Sequence, residues 1–301
     1  MKYAIKTIKA CIIVIMLALL AGNITYAQNV QVIKPQVVDG EADTSKLWNH
    51  EMILGANGSQ AAYRNWSQGG VNTISGTVSG VYRTFYQKER IKMSLTLNLK
   101  YGQARLENQG VRKTDDQIIF NNRWNYLFEN KKFSAYGNLG FRTQFDKGFE
   151  YPDDDPKVLV SDFLAPAYVS QTIGLSYSPQ DKLDLLLGIG LKETIVNDTT
   201  LSVNYGLDPG EKFLLEAGYS TQITYSKEFM KNVIYNGELS TFTNPSKHIS
   251  STDVEFRNEL VGKINDKLQT NLQLVMYYDD DITTELQIKQ VLSVGFSYKI
   301  L

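Results

Sequence analysis

The sequence predicts an all-β fold, a transmembrane antiparallel β-barrel of about twelve strands. Three observations lead there: apolar and polar residues alternate through most of the chain, the connectors between alternating runs are short and long by turns, and a secretory leader comes first. Side chains of an extended chain point to opposite faces, so alternation marks a strand with one apolar and one polar face. The run KLQTNLQLVMYY from Lys267 to Tyr278 shows the pattern. Leu268, Thr270, Leu272, Leu274, Met276 and Tyr278 share one parity; Gln269, Asn271, Gln273 and Tyr277 share the other, with Val275 the exception. In a soluble sandwich the apolar face would be the core. In a membrane barrel it faces lipid.

The leader spans residues 1–27. Lys2, Lys6 and Lys9 precede an apolar run from Ala10 to Ala21, and Thr25-Tyr26-Ala27 supplies a small-residue cleavage site. The apolar run is shorter than the roughly 20 residues of a spanning helix. Cys11, the only cysteine, lies inside it, so the exported chain has no disulfide. Loss of the three lysines takes the formal net charge from −1 to −4. Nucleic acid is therefore not an expected partner, because phosphate binding needs excess positive charge. Residues 28–47 hold Pro35, Gly40 and no sustained pattern, which reads as a periplasmic lead-in.

The barrel is expected over 48–301, with strands near 48–60, 72–86, 90–107, 116–129, 133–146, 167–178, 183–197, 213–229, 233–243, 252–264, 268–279 and 284–301. Ile91–Tyr101 alternates without error. The second strand is the weakest: Ile74, Val78 and Tyr82 lie on one parity, Val81 and Phe85 on the other. A bulge or a shifted register would each explain the break. Most runs reach the roughly 9–11 residues that cross a membrane obliquely, whereas strands of globular proteins peak near five or six. Aromatic residues gather at strand ends, among them Tyr82, Phe85, Tyr86, Tyr126, Phe128 and Tyr298, as in interfacial girdles.

Five connectors are tight: Gln87-Lys88-Glu89, Asn130-Lys131-Lys132, Pro179-Gln180-Asp181-Lys182, Met230-Lys231-Asn232 and Asn265-Asp266-Lys267. The intervening ones, 61–71, 107–115, 147–166, 198–212, 244–251 and 280–283, are taken as long. Short periplasmic turns and long outer loops give that asymmetry in outer-membrane barrels. Both termini then fall on the short-turn side.

Trp48, the segment Asn65-Trp66-Ser67-Gln68-Gly69-Gly70 with Asn72, and Lys113-Thr114-Asp115-Asp116 resemble the marks of a family of exported Bacteroidetes proteins known only as a domain of unknown function. The marks cover roughly residues 48–130. The resemblance implies an outer-membrane setting and supplies no activity or site residue. Trp66, Gly69 and Gly70 remain loop candidates; Gly-Gly also suits a tight turn.

On the parity opposite the apolar one lie Lys92, Lys100, Arg123, Arg142, Lys192, Glu216, Glu255, Arg257, Glu259 and Lys263. These are the lumen-lining candidates, with bases mainly on the third, fourth, fifth and seventh strands and acids on the eighth and tenth. They suit a water-filled pore with a polarised wall. They equally suit a closed interior filled by ion pairs, since eight strands hold only side chains and sixteen an open channel. An unpaired buried charge is costly, so both readings expect partners or water.

No catalytic site, cofactor or metal is expected. His50 and His248 are far apart, and no cysteine survives export, which makes a poor ligand set. Glu150, Asp153, Asp154 and Asp155 could offer hard oxygen ligands, but Pro152 and Pro156 favour a solvated loop. His248 and Ser250 stand two apart, a spacing that resembles outer-membrane phospholipase A. That family's Gly before the His and Asn-Gly after the Ser are missing. The sequence thus points to a non-catalytic, porin-like outer-membrane protein in contact with outer-membrane lipids. A narrow channel for small polar solutes, a closed barrel that is structural or docks an envelope partner, and a lipid hydrolase stand as the readings, in that order.

Overall fold

The computed structural model describes residues 46–61, 72–107, 110–152, 156–180 and 182–300. The leader, the lead-in up to residue 45, Trp66, Gly69, Gly70 and Asp153 to Asp155 lie outside the described residues. The strands are β1 (Trp48–Ala61), β2 (Thr73–Lys88), β3 (Ile91–Leu106), β4 (Gly110–Leu127), β5 (Phe133–Thr143), β6 (Gly148–Glu150), β7 (Val158–Ser161), β8 (Ala167–Gln180), β9 (Leu183–Ile195), β10 (Phe213–Met230), β11 (Val233–Thr243), β12 (Asp253–Lys263), β13 (Leu268–Asp279) and β14 (Thr283–Lys299). Twelve of them close into one barrel in the order β1-β14-β13-β12-β11-β10-β9-β8-β5-β4-β3-β2. Pairing is antiparallel throughout, and β1 meets β14 from Ile53↔Lys299 to Asn57↔Gly295. Closure leaves no edge strand, so every wall strand has two partners.

The exterior carries the apolar parity. Val78, Ile173, Leu187, Ile189, Leu292 and Phe296 are all more than half exposed. The interior carries the polar one, with Thr77, Thr96, Asn98, Asn125, Ser176 and Asn271 buried. This inside-out distribution is the reverse of a water-soluble core and matches a wall whose outer face meets hydrocarbon. The break in β2 is not a bulge: β2 pairs with β1 and β3 without a register shift. Val81 simply points inward, where it is 4% exposed.

The tight turns hold as expected. Glu89, Lys131 and Asn232 adopt left-handed φ values of 51°, 55° and 66°. Asn130 Oδ1 accepts from the N–H groups of Lys132 and Phe133, and Asn265 Oδ1 does the same for Lys267 and Leu268. A short polar side chain that bonds the backbone ahead of it is the usual device of such turns.

The opposite end differs from the expectation in two connectors. β4 begins at Gly110, so only 107–109 separates it from β3, and only 280–282 separates β13 from β14. A register shift between Gly102 and Gln103 lets the two strands continue upward, and a Cβ at Gly102 would collide with the Thr77 hydroxyl. The longest connector is not irregular either. β6 and β7 form a hairpin within it, and a 3-10 helix, Thr199–Tyr205, lies between β9 and β10. Ala165, Val196, Leu201 and Leu207 pack into a small apolar core where these two segments meet. Tyr205 Oη ties them by donating to the Val160 carbonyl at 2.6 Å.

Candidate functional site

Where inward side chains meet inside the barrel depends on the strand order. Arg142 on β5 reaches Glu255 on β12 at 3.7 Å, past β8, β9, β10 and β11. Lys192 on β9 reaches Asp253 on β12 at 2.6 Å and Asp279 on β13 at 3.5 Å. Lys289 on β14 reaches Asp115 on β4 at 3.2 Å, past β1, β2 and β3. Arg123 on β4 binds Asp184 on β9, past β5 and β8. These ion pairs are chords drawn across the lumen. Lys100–Asp115 at 2.6 Å and Arg83–Glu51 at 2.8 Å join neighbouring strands instead.

The lumen divides into two zones. Toward the short turns the side chains pack closely, with a void of only about 20 Å³ beside Asn236, Glu259 and Gln273. Arg123 is 3% exposed; Ser176 Oγ accepts from its Nη2 at 2.8 Å, and the Tyr136 ring lies 5.6 Å away. Ser176 and Ser178 both donate to Asp184 Oδ1. Asn236 accepts from Ser226 at 2.7 Å and donates to Glu259 at 3.4 Å. Glu259 is buried, and among the described residues its Oε1 has no hydrogen-bond partner. Gly188 faces this zone, and its missing Cβ leaves room for the Tyr136 hydroxyl.

Toward the long loops the packing opens. One cavity of about 310 Å³ is bounded by Arg142, Tyr168, Lys192, Gln222, Glu238 and Arg257. A smaller one of about 110 Å³ adjoins it at Arg142, Glu255 and Arg257, beside Lys100 and Gln273. A third of about 440 Å³ rises from Arg142 toward Tyr205, Tyr277 and Gln287. Arg142 faces all three, and its side chain stays 48% exposed. Arg257 holds Glu255 at 2.6 Å on the same strand, so the Arg142–Glu255–Arg257 group partitions the chamber.

A second cluster pins the loops to the wall. Lys192 lies 3.3 Å from Glu216, and Lys247 reaches Glu216 at 2.8 Å and Asp281 at 2.6 Å. Partial burial would lower the Lys247 pKa, but Asp281 and Glu216 outweigh it and hold it above the usual lysine value. Asp279, Asp280 and Asp281 bring three carboxylates together. Lys192 pairs with Asp279 and Lys247 with Asp281, so two of the three are already engaged by the protein's own cations.

Of the sequence candidates, Lys100, Arg123, Arg142, Lys192, Glu216, Glu255, Arg257 and Glu259 join these networks. Lys92 is half-buried near the short turns, and Lys263 is exposed there. Sequence reasoning missed Glu51, Arg83, Asp115, Asp184, Asp253 and Lys289. The inward parity of Glu51, Asp184, Asp253 and Lys289 was legible, that of Arg83 and Asp115 was not, and no pairing was. With them included, acids interleave with bases around the wall, and the segregation into a basic and an acidic side does not hold. The Lys113-Thr114-Asp115-Asp116 motif serves both faces. Asp115 enters the lumen, while Asp116 accepts from Lys113 Nζ at 2.8 Å and from the N–H groups of Phe145 and Asp146 on the outer rim.

His248 Nδ1 lies 2.8 Å from Ser250 Oγ and also accepts the Ser250 N–H. The ring therefore caps the short turn at Ile249–Ser251. Among the described residues no carboxylate contacts the imidazole, so the third member that orients a catalytic base is missing.

Residues 59–149 match the family model described as Protein of unknown function (DUF3078). The match takes in β2 to β5 and the Lys113–Asp116 motif, against the 48–130 expected from the sequence marks. No curated protein matches the chain. Among solved structures, the COG4313 outer membrane channel from Pseudomonas putida F1 is similar with a TM-score of 0.39 and 12% identity, covering 83% of this chain and 93% of that one. The translocator domain of autotransporter NalP from Neisseria meningitidis gives 0.38 and 11%, covering 83% and 86%. Outer membrane phospholipase A from Escherichia coli gives 0.38 and 9%, covering 88% and 98%. At such identities and scores none of them speaks to this chain's activity.

Proposed function

We propose that the protein is a non-catalytic outer-membrane barrel whose lumen is a narrow channel for small polar solutes, held shut by ion pairs that cross it. The membrane setting is supported by the closed wall with its apolar exterior and polar interior. The observation that carries the channel reading is the division of the lumen. Chambers bounded by both charge signs open toward the long loops, and a packed ion-pair layer closes the short-turn half. The mixed lining suits small polar or zwitterionic molecules, because charged rings set the potential inside a pore.

A permanently closed structural barrel is the second reading. It is favoured by the Arg123–Asp184 layer, in which both side chains are almost fully buried. Conductance in planar bilayers separates the two. A gated channel gives rare openings in the wild type and frequent ones in an Arg123→Ala, Asp184→Ala variant, which removes the closing pair. A structural barrel stays silent in both. Hydrolysis of phospholipid that disappears in Ser250→Ala would remove the non-catalytic assignment.

A further inference from the structure

The chambers, the pinned loops and the His248 turn belong to the lumen or to the loops already described. The short-turn end is different. All five tight turns carry lysine: Lys88 at the first, Lys131 and Lys132 at the second, Lys182, Lys231 and Lys267 at the others, every one of them exposed. None of the six makes an ion pair among the described residues, whereas neighbouring Arg90 pairs with Glu129 and Lys299 with Glu51. Just above them on the outer wall sits an aromatic belt. Trp48, Tyr126, Phe133, Tyr225 and Tyr298 are all more than a third exposed, with Trp48 against Tyr86 at 4.8 Å and Phe133 against Tyr177 at 4.5 Å. Lys267 lies 5.9 Å from the Tyr298 ring, at the junction of the two layers.

We infer that this basic ring is a binding surface for the headgroups of anionic phospholipids in the leaflet that meets the short turns. The inference rests on the outer-membrane reading above. Amphipathic rings settle at the headgroup level, so the belt places the lysines where lipid phosphates lie. Unpaired surface lysines within reach of an anionic surface each add attraction that salt screens. The distribution selects a lipid annulus over a protein or glycan partner. A docked partner needs a patch on one side. Here the cations are spread over turns that follow strands on every side of the barrel, with no turn left out. Among the described residues the long-loop end mixes exposed Glu107, Asp208 and Glu211 with exposed Arg105, Lys147, Lys157 and Lys212, while at the short turns the six lysines outnumber the exposed acids Glu89, Glu129, Glu228 and Asp266.

The test uses the full exported chain refolded into phosphatidylcholine vesicles containing a minority of phosphatidylglycerol. Spin-labelled lipids report which species occupies the protein boundary. The wild type is expected to favour the phosphatidylglycerol label by about twofold or more at low salt, with the preference falling at high salt. Charge reversal at three turns, Lys132→Glu, Lys182→Glu and Lys231→Glu together, abolishes the preference. The same three changed to Gln reduce it, which covers the case where the reversal variant does not fold. Lys212→Glu, an exposed lysine toward the long loops, leaves it unchanged. Equal occupancy by both labels in the wild type overturns the inference, and so does a preference that survives both triple variants, the result expected if the ring serves a protein or glycan. Failure to insert into pure phosphatidylcholine vesicles would instead bring down the outer-membrane reading, and the inference with it.

Discussion

Arg123 and Arg142 are both inward arginines on adjacent strands, and they lead different lives. Arg123 is locked by Asp184, Ser176 and the Tyr136 ring and is 3% exposed. Arg142 holds one loose partner, Glu255 at 3.7 Å, and borders three cavities. Parity is the same and chemistry is the same. What separates them is the neighbourhood across the lumen. A guanidinium bound through both terminal nitrogens and shut away from solvent behaves as structure; one that is half hydrated is free to exchange partners. The first kind closes the barrel and the second is where a solute or a gating motion can act.

The largest effect should come from breaking the tight pair. Asp184→Ala strands a buried guanidinium, which costs about 3–5 kcal/mol. Urea unfolding from vesicles should show an unfolding free energy lower by that amount, and a loss under about 1 kcal/mol would mean that Arg123 is solvated after all. The wall gives the next contrast. Leu187→Arg turns a charge toward hydrocarbon and should cost about 2–4 kcal/mol. Gln222→Arg sits on the neighbouring strand, inward against the 310 Å³ cavity, and should cost about 1 kcal/mol or less. Equal penalties would contradict the assignment of faces. Smaller still is Lys247→Met, whose side chain is 31% exposed. Its effect should be at most about 1 kcal/mol, because solvent screens the pairs. Limited proteolysis should nonetheless cut the 244–251 connector faster, since Glu216 and Asp281 lose their tether. Arg142→Ala should barely move stability, by about 0–1 kcal/mol, because its pair with Glu255 is loose and half exposed.

The strands were legible because alternation is a local signal. The expected 233–243 and 268–279 coincide with β11 and β13, and most other edges fall within a few residues. β4 was the exception: Gly110 to Asp115 are polar enough to read as loop, yet the shift at Gly102 lets them pair with β3. The β6–β7 hairpin escaped because strands of three and four residues show no period. Most inward residues could be named one by one from parity. Their partners could not. A chord such as Arg142–Glu255 joins residues more than a hundred positions apart, and it is set by barrel diameter and shear, which no short window of sequence encodes. Asp115 and Asp116 show the same limit at close range, since two adjacent carboxylates take opposite faces and unrelated tasks.

The central claim is that the lumen is open at the long-loop half and shut at the short-turn half. The chain's only native cysteine is Cys11, so single engineered thiols in a Cys11→Ser background report cleanly. Ser220→Cys borders the 310 Å³ cavity, and Ser176→Cys sits in the packed layer at 1% exposure. A small, membrane-impermeant thiol reagent added to intact cells should modify Ser220→Cys quickly. Ser176→Cys should stay unmodified there and in outer-membrane fragments where the reagent reaches both sides. Rapid modification of Ser176→Cys would mean a continuous water-filled pore and would contradict the account.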